Sequence, residues 1–186
     1  MVELGWNIKL TDKLITKVRA VPSPQLLAWL EHRYSLTQKL KDVAGHTRLE
    51  ILVQRWDCAD IWDSKALGLD VSTVLHREIL MWSGHNMCWY AKSIIPQDTY
   101  KAELGLFKRL EFEPLGALIF NNNKIKRTSL IHYAIDQHSM EYDFVNQAMR
   151  ANAKILWVRL SRFMFAQDLP FFLIEILLPG LNGYCN

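Results

Sequence analysis

The stretch LHREILMWSGHNMCWYAKSIIP, residues 75–96, constrains this chain more than any other. Two runs rich in strand-forming residues flank Ser83, Gly84, His85 and Asn86, four turn formers in a row, so the stretch predicts a β-hairpin. Pro96 closes its second strand. Side chains alternate faces along a strand. A two-residue loop led by Gly84, or a four-residue loop over 83–86, therefore sets Arg77 opposite Lys92, with Ile79, Met81, Tyr90 and Ile94 on their face. Two cations on a mostly apolar face need anions, which either the protein or a ligand must supply.

The run FFLIEILL, residues 171–178, adds a second constraint. Alternation puts Phe171, Leu173, Glu175 and Leu177 on one face and Phe172, Ile174, Ile176 and Leu178 on the other. Both sets are apolar apart from Glu175, so the strand belongs in the centre of a sheet, covered on both sides. A lone buried carboxylate is costly and needs a partner. One account pairs Glu175 with Arg77, Arg159 or Arg162 in the core. The other makes it a catalytic or ligand-binding carboxylate in an apolar pocket. Arg77 in turn reads either as a ligand clamp or as a sheet-edge cation beside Glu78, and Lys92 taken alone as a surface lysine.

The remaining elements fit around these strands. Ser23 and Pro24 open a helix carrying Leu26, Leu27 and Leu30. Ser35 starts a second, with Leu36, Leu40 and Val43 on one side and Gly45 as its stop. The pair could be a DNA-binding helix-turn-helix, but its second helix carries only Lys39 and Lys41 and few base-reading groups, so a packing or lid element fits better. Residues 47–56 alternate as a half-buried strand, with Leu49, Ile51 and Val53 against Arg48, Glu50 and Gln54. Residues 57–72 read as a long loop with a helical turn, and 96–110 as a weakly helical connection. Pro114 opens a short helix whose first amides point at whatever precedes them. Residues 128–135 form another strand, 136–154 an excursion on the surface, and 155–165 with 171–178 a second hairpin around Ala166, Gln167 and Asp168. The expected fold is α+β, one antiparallel sheet of about six strands in a single domain over 1–186, with residues 1–22 as an N-terminal extension.

Composition narrows the function classes. A net charge of +3 suits a small anionic ligand better than nucleic acid, which calls for a clustered basic stripe. Cys58, Cys88 and Cys185 are far apart, odd in number and without CxxC spacing, arguing against a disulfide framework or a zinc site. The six His lack ligand spacing, and no metal is expected. No glycine-rich phosphate loop, GxSxG or dinucleotide fingerprint occurs. The N-terminus lacks a signal-peptide pattern and the longest apolar run, 170–181, is too short to span a bilayer and contains Glu175, so a cytoplasmic protein without membrane insertion is expected.

Taken together, PQLLAWL, SLTQKL, REIL, the IIP that closes the hairpin, PLGALIF and LIEILLP resemble, in order and spacing, the chorismate lyase family over residues 23–179. The resemblance implies an antiparallel sheet whose ligand lies beneath helical flaps. It implies a monomeric, cofactor-independent lyase converting chorismate to 4-hydroxybenzoate and pyruvate, the first step of ubiquinone biosynthesis, with slow product release and product inhibition. By the same resemblance Arg77 grips the aromatic carboxylate, Leu115 contributes backbone, Leu36 stands at a ligand contact, and Glu175 meets the ring hydroxyl. Lys92 stands where the family has Arg, keeping the charge but losing the bidentate geometry. The catalytic set is then Arg77, Glu175 and Lys92, with Leu36 and Leu115 completing the ligand contacts.

In the implied reaction the ether C–O bond breaks and the carbon bearing the hydroxyl loses its proton. Aromatisation drives the step, so no electron sink is needed, and the protein's tasks are placement, charge balance and proton handling. Two other readings compete. A non-catalytic sensor domain of the same fold would bind a small aromatic acid without chemistry. An interaction module would use the seven Trp as an exposed apolar surface.

Overall fold

In the computed structural model, which describes residues 18–69, 73–166 and 168–185, two three-stranded meanders meet edge to edge. The first is β1 (Arg48–Cys58), β2 (Thr73–Ser83) and β3 (Asn86–Pro96); the second is β4 (Ile125–Ile135), β5 (Leu156–Phe165) and β6 (Leu169–Leu177). They join through β3 and β6 into one antiparallel sheet in the order β1-β2-β3-β6-β5-β4. The α+β class, the strand count and both hairpins follow the expectation from sequence. The strand carrying Glu175 is central, and its apolar residues feed two separate cores, one on each face.

The helices close those faces. On one lie α1 (Pro24–Leu30), α2 (Leu36–Ala44), α4 (Gln97–Ala102), α5 (Leu104–Phe107) and α6 (Leu115–Ile119). Ser23 and Ser35 cap α1 and α2 by accepting from Leu26 and Gln38 amides, and Gly45 ends α2 at φ 79°. That left-handed conformation is open to glycine at little cost. Apolar α2 positions Leu36 and Leu40 are buried with Trp29, Leu30, Leu115 and Leu118 over β2, β3 and β6. Here α2 and α6 touch so closely that a Cβ on Gly116 would stand 2.8 Å from the Ser35 hydroxyl.

The rear face is closed by elements the sequence reading placed differently. Residues 57–72 were expected as a loop, yet β1 runs on to Cys58 and α3 (Ile61–Leu67) follows, opened by a capping box in which Asp60 and Asp63 bond each other's amides. Residues 70–72 lie outside the described residues, as does most of the expected 1–22 extension. The 136–154 segment is not a free surface excursion: a 3-10 turn (Met140–Phe144) and α7 (Gln147–Arg150) bury Glu141, Tyr142, Val145 and Met149 against the sheet. Its buried residues are scattered, with Glu141 and Ser139 inside and Met140 exposed, so the segment shows no periodicity to read.

After β6, a 3-10 turn (Pro179–Tyr184) folds back onto β3. A Cβ on Gly180 would run into the Met87 carbonyl. Gly180→Ala is therefore expected to force this turn off β3 and to cost about 1–3 kcal/mol, the range for overpacking a fixed site. A urea melt with an unchanged midpoint would show that the turn yields freely.

Candidate functional site

Among the described residues, Arg77 is the buried cation that the fold leaves without an anion. It sits in β2 at 1% exposure. Its Nε donates to Gln54 Oε1 at 3.1 Å, from the cross-strand residue in β1, and one terminal nitrogen donates to the Glu113 carbonyl at 3.2 Å. Both acceptors are neutral. The Glu113 carboxylate is taken by Arg109 at 2.7 and 2.8 Å, and Glu78 points to the rear face, where it hydrogen-bonds Tyr90. No ion pair joins Arg77 to any described carboxylate. Burial pushes its pKa down to about 10, so it stays charged at neutral pH against its surroundings.

The guanidinium lines a small cavity between the sheet and α2 and α6, about 30 Å³ of free space. The floor is Ile79, Met81, Trp89 and Ala91, and the roof is Thr37 and the start of α6 at Leu115 and Gly116. Pro114 is the N-cap of α6 and makes no side-chain cap bond. The first amides of a helix have no partner within it, and here they belong to the cavity wall. Leu115 thus lines the cavity. Leu36 is buried in the same core, but its neighbour Thr37 is the α2 residue that lines the space.

Glu175 lines the opposite side of this cavity. Strand β6 lies two strands from β2, about 10 Å at ordinary strand spacing. On its far side Glu175 faces Arg159 across the β5–β6 ladder. Its Oε2 is 3.2 Å from an Arg159 terminal nitrogen, and the two are 6% and 0% exposed. The two sequence accounts of Glu175 are therefore not exclusive: it has a core arginine partner and also borders the cavity. That pair is close but not aligned, and neither Oε2 nor that nitrogen has a hydrogen-bond partner.

Lys92 is not at this site. The hairpin loop is the two-residue Gly84-His85 turn that should have set it opposite Arg77, with Ser83 paired to Asn86. A β-bulge then intervenes: Trp82 pairs with Met87, but Met81 pairs with Trp89, leaving Cys88 extra on β3. One extra residue moves every later side chain to the other face. Arg77 consequently faces Ser93, and Lys92 lies opposite Glu78 on the rear face, as do Tyr90 and Ile94 in the rear core. A second bulge, at Leu52 in β1, breaks the alternation read there and brings Gln54 to the Arg77 face.

On the rear face Lys92 finds the anions it needs. Its ammonium donates to Asp60 at 3.1 Å and to Asp63 at 3.5 Å, and Asp63 is 2.7 Å from His76 Nε2. Asp60, Asp63 and His76 offer three donor atoms within 4.8 Å of one another, but the ammonium already sits against both aspartates where a cation would go. Burial opposes ionisation of Asp60; the Asp63 amide and Lys92 outweigh it and hold the carboxyl below its usual range. A depressed carboxyl pKa stabilises the fold at neutral pH and loses that contribution as pH falls through the folded value. Lys92→Met should thus lower the melting temperature, flatten its acid dependence, and leave affinity for an aromatic acid unchanged within about threefold, since buried Asp63 loses a partner and the cavity loses nothing. A large loss of affinity would return Lys92 to the site.

Sequence reasoning missed Gln54, the Glu113 carbonyl and Thr37, which depend on register and helix approach. The aspartates that hold Lys92 carried a signal: Asp60 three residues before Asp63 is the spacing of the capping box that starts α3.

The arrangement defines a class: an α+β protein with a buried guanidinium that has no ion-pair partner among the described residues, and a carboxylate, on opposite walls of a small cavity. Comparison narrows it. The chain belongs to the chorismate lyase family, whose model matches residues 14–182. A probable chorismate pyruvate-lyase of Nitrosomonas europaea is 28% identical over 83% of this chain and 86% of its own length. That of Coxiella burnetii is 28% identical over 83% of each. Among solved structures, PhnF from Mycobacterium smegmatis has a TM-score of 0.54 at 15% identity over 80% of this chain and 65% of its own. A GntR-family transcriptional regulator from Bacillus cereus has a TM-score of 0.50 at 14% identity over 72% and 92%. At such identities the likeness is one of fold. No helix among the described residues is long and apolar enough to cross a membrane.

Proposed function

We propose that this protein is a lyase that converts chorismate to 4-hydroxybenzoate and pyruvate without a cofactor, the reaction that opens ubiquinone synthesis. The observation that carries the reading is the uncompensated Arg77, fully buried beside an apolar cavity whose opposite wall carries Glu175. A ring acid with a hydroxyl across the ring supplies what both ends lack. Its carboxylate would take the free donors of Arg77 and an amide at the start of α6, at Leu115. Its hydroxyl would donate to Glu175. As the ether bond breaks, the carbon bearing the hydroxyl loses its proton, with Glu175 as the nearest base. The apolar floor excludes water and strengthens each polar contact.

The free space is far smaller than a six-membered ring, so α2 and α6 have to separate to admit one. A lid of this kind makes product release slower than chemistry. The decisive experiment mixes the purified protein with chorismate alone and follows 4-hydroxybenzoate and pyruvate together. Equal release of both, with a burst before a slower steady rate, is the expected result. If neither product forms but 4-hydroxybenzoate raises the melting temperature, the enzyme reading falls and a ligand-sensing role replaces it.

A further inference from the structure

Chorismate carries two carboxylates; Arg77 can meet only one of them, and Lys92, the other cation of the expected catalytic set, lies on the rear face of the sheet. We infer that Arg159 is the residue that receives the enolpyruvyl carboxylate. The inference rests on the lyase reading and adds the second half of its substrate site.

The first argument is position. In chorismate the ring carbon bearing the enolpyruvyl ether adjoins the carbon bearing the hydroxyl. Whatever holds the ether-borne carboxylate must therefore lie beside whatever holds the hydroxyl. Arg159 faces Glu175 across the ladder, with a terminal nitrogen 3.2 Å from its carboxylate. The second argument is unmet bonding. Arg159 is 0% exposed, yet its Nε and that terminal nitrogen have no hydrogen-bond partner; only the other terminal nitrogen is used, donating to the His32 carbonyl at 2.6 Å. Buried guanidinium donors left unpaired are costly. The third argument is charge. Arg127, opposite Phe163 in β4, turns to this same face and stacks on the Phe120 and Phe163 rings. Three guanidiniums, of Arg77, Arg127 and Arg159, thus share this side of the sheet with the carboxylate of Glu175. A dianion offsets that excess; 4-hydroxybenzoate, with one carboxylate, does so only in part. The site built this way grips substrate at both ends and product at one.

The test uses two ligands. One is 4-hydroxybenzoate. The other is 3-(carboxymethoxy)-4-hydroxybenzoate, a stable ring acid with a second carboxylate on the ether position. The wild-type protein should bind the second roughly tenfold or more tightly than the first, the value of one charge-assisted contact. Arg159→Gln should lower chorismate turnover about 100-fold and leave 4-hydroxybenzoate affinity within about threefold, because glutamine keeps an amide donor beside Glu175 while the contact to the second carboxylate is one that only substrate makes. Should that variant fail to fold, Arg159→Lys keeps a cation beside Glu175 but loses the planar fork, and should shrink the two-ligand ratio at least about threefold. Equal binding of both ligands by the wild type overturns the inference. So does a variant that loses affinity for both alike, which would make Arg159 a support for Glu175 and nothing more. A wild-type protein that prefers the dicarboxylate but leaves chorismate untouched would sink the lyase reading and keep the subsite.

Discussion

An Arg77→Met protein is expected to lose 4-hydroxybenzoate affinity by roughly 10- to 100-fold, the value of a buried charge-assisted contact, without losing stability. The second half of this expectation separates a ligand clamp from a structural residue. Arg77 bonds only neutral acceptors, Gln54 and the Glu113 carbonyl, and its depressed pKa of about 10 means the folded chain holds that proton less firmly than the unfolded chain does. The unfolded state then binds more protons as pH passes from the folded toward the unfolded value, so stability rises across that alkaline window. Below it the charge works against the fold. Methionine fills similar apolar space and removes the burden. A melting temperature equal to or above that of the wild type, with affinity collapsed, is the expected pair of results. A large drop in melting temperature would mean that Arg77 holds the sheet together and that its free donors are incidental.

Glu175→Gln should behave in the opposite way on stability. Its carboxylate is the charge partner of Arg159, and both are buried. Stripping one partner from a buried pair leaves an uncompensated charge, at a cost of about 3 kcal/mol. For a chain of this size that is a fall of roughly 6–12 °C in melting temperature. Turnover of chorismate should fall about 100-fold or more if the carboxylate takes the ring proton, since general-base removal typically costs that much. Full activity in a folded Glu175→Gln protein would reduce Glu175 to a core ion pair. The contrast between the two variants follows from one difference: the fold supplies a partner for the carboxylate and none for Arg77.

The polar ends of the site could be picked out from sequence because they violate local pattern. A glutamate inside FFLIEILL and an arginine in an otherwise apolar strand stand out against the surrounding alternation, and both proved to border one cavity. The caps of α1 and α2, the place of the hairpin turn within residues 83–86 and the helix opened at Pro114 were also legible, because each depends on residues within a few positions of one another. The family resemblance rested on these same pieces and agrees with the family match over residues 14–182.

What sequence alone determined, then, is the set of strands, their local turns and the two residues that do not belong in an apolar sheet. The tertiary structure decided which of the charged residues meet. Lys92 and Arg77 are separated by the single extra residue Cys88, which breaks the two-residue alternation on which the sequence reading of the hairpin relied. Asp60 and Asp63 reach Lys92 only because α3 packs on the rear face, and Arg159 reaches Glu175 only because β5 and β6 pair in one register. Local sequence sets conformation over a few residues. The face on which a charge arrives is the sum of every register step before it, and one step reverses it.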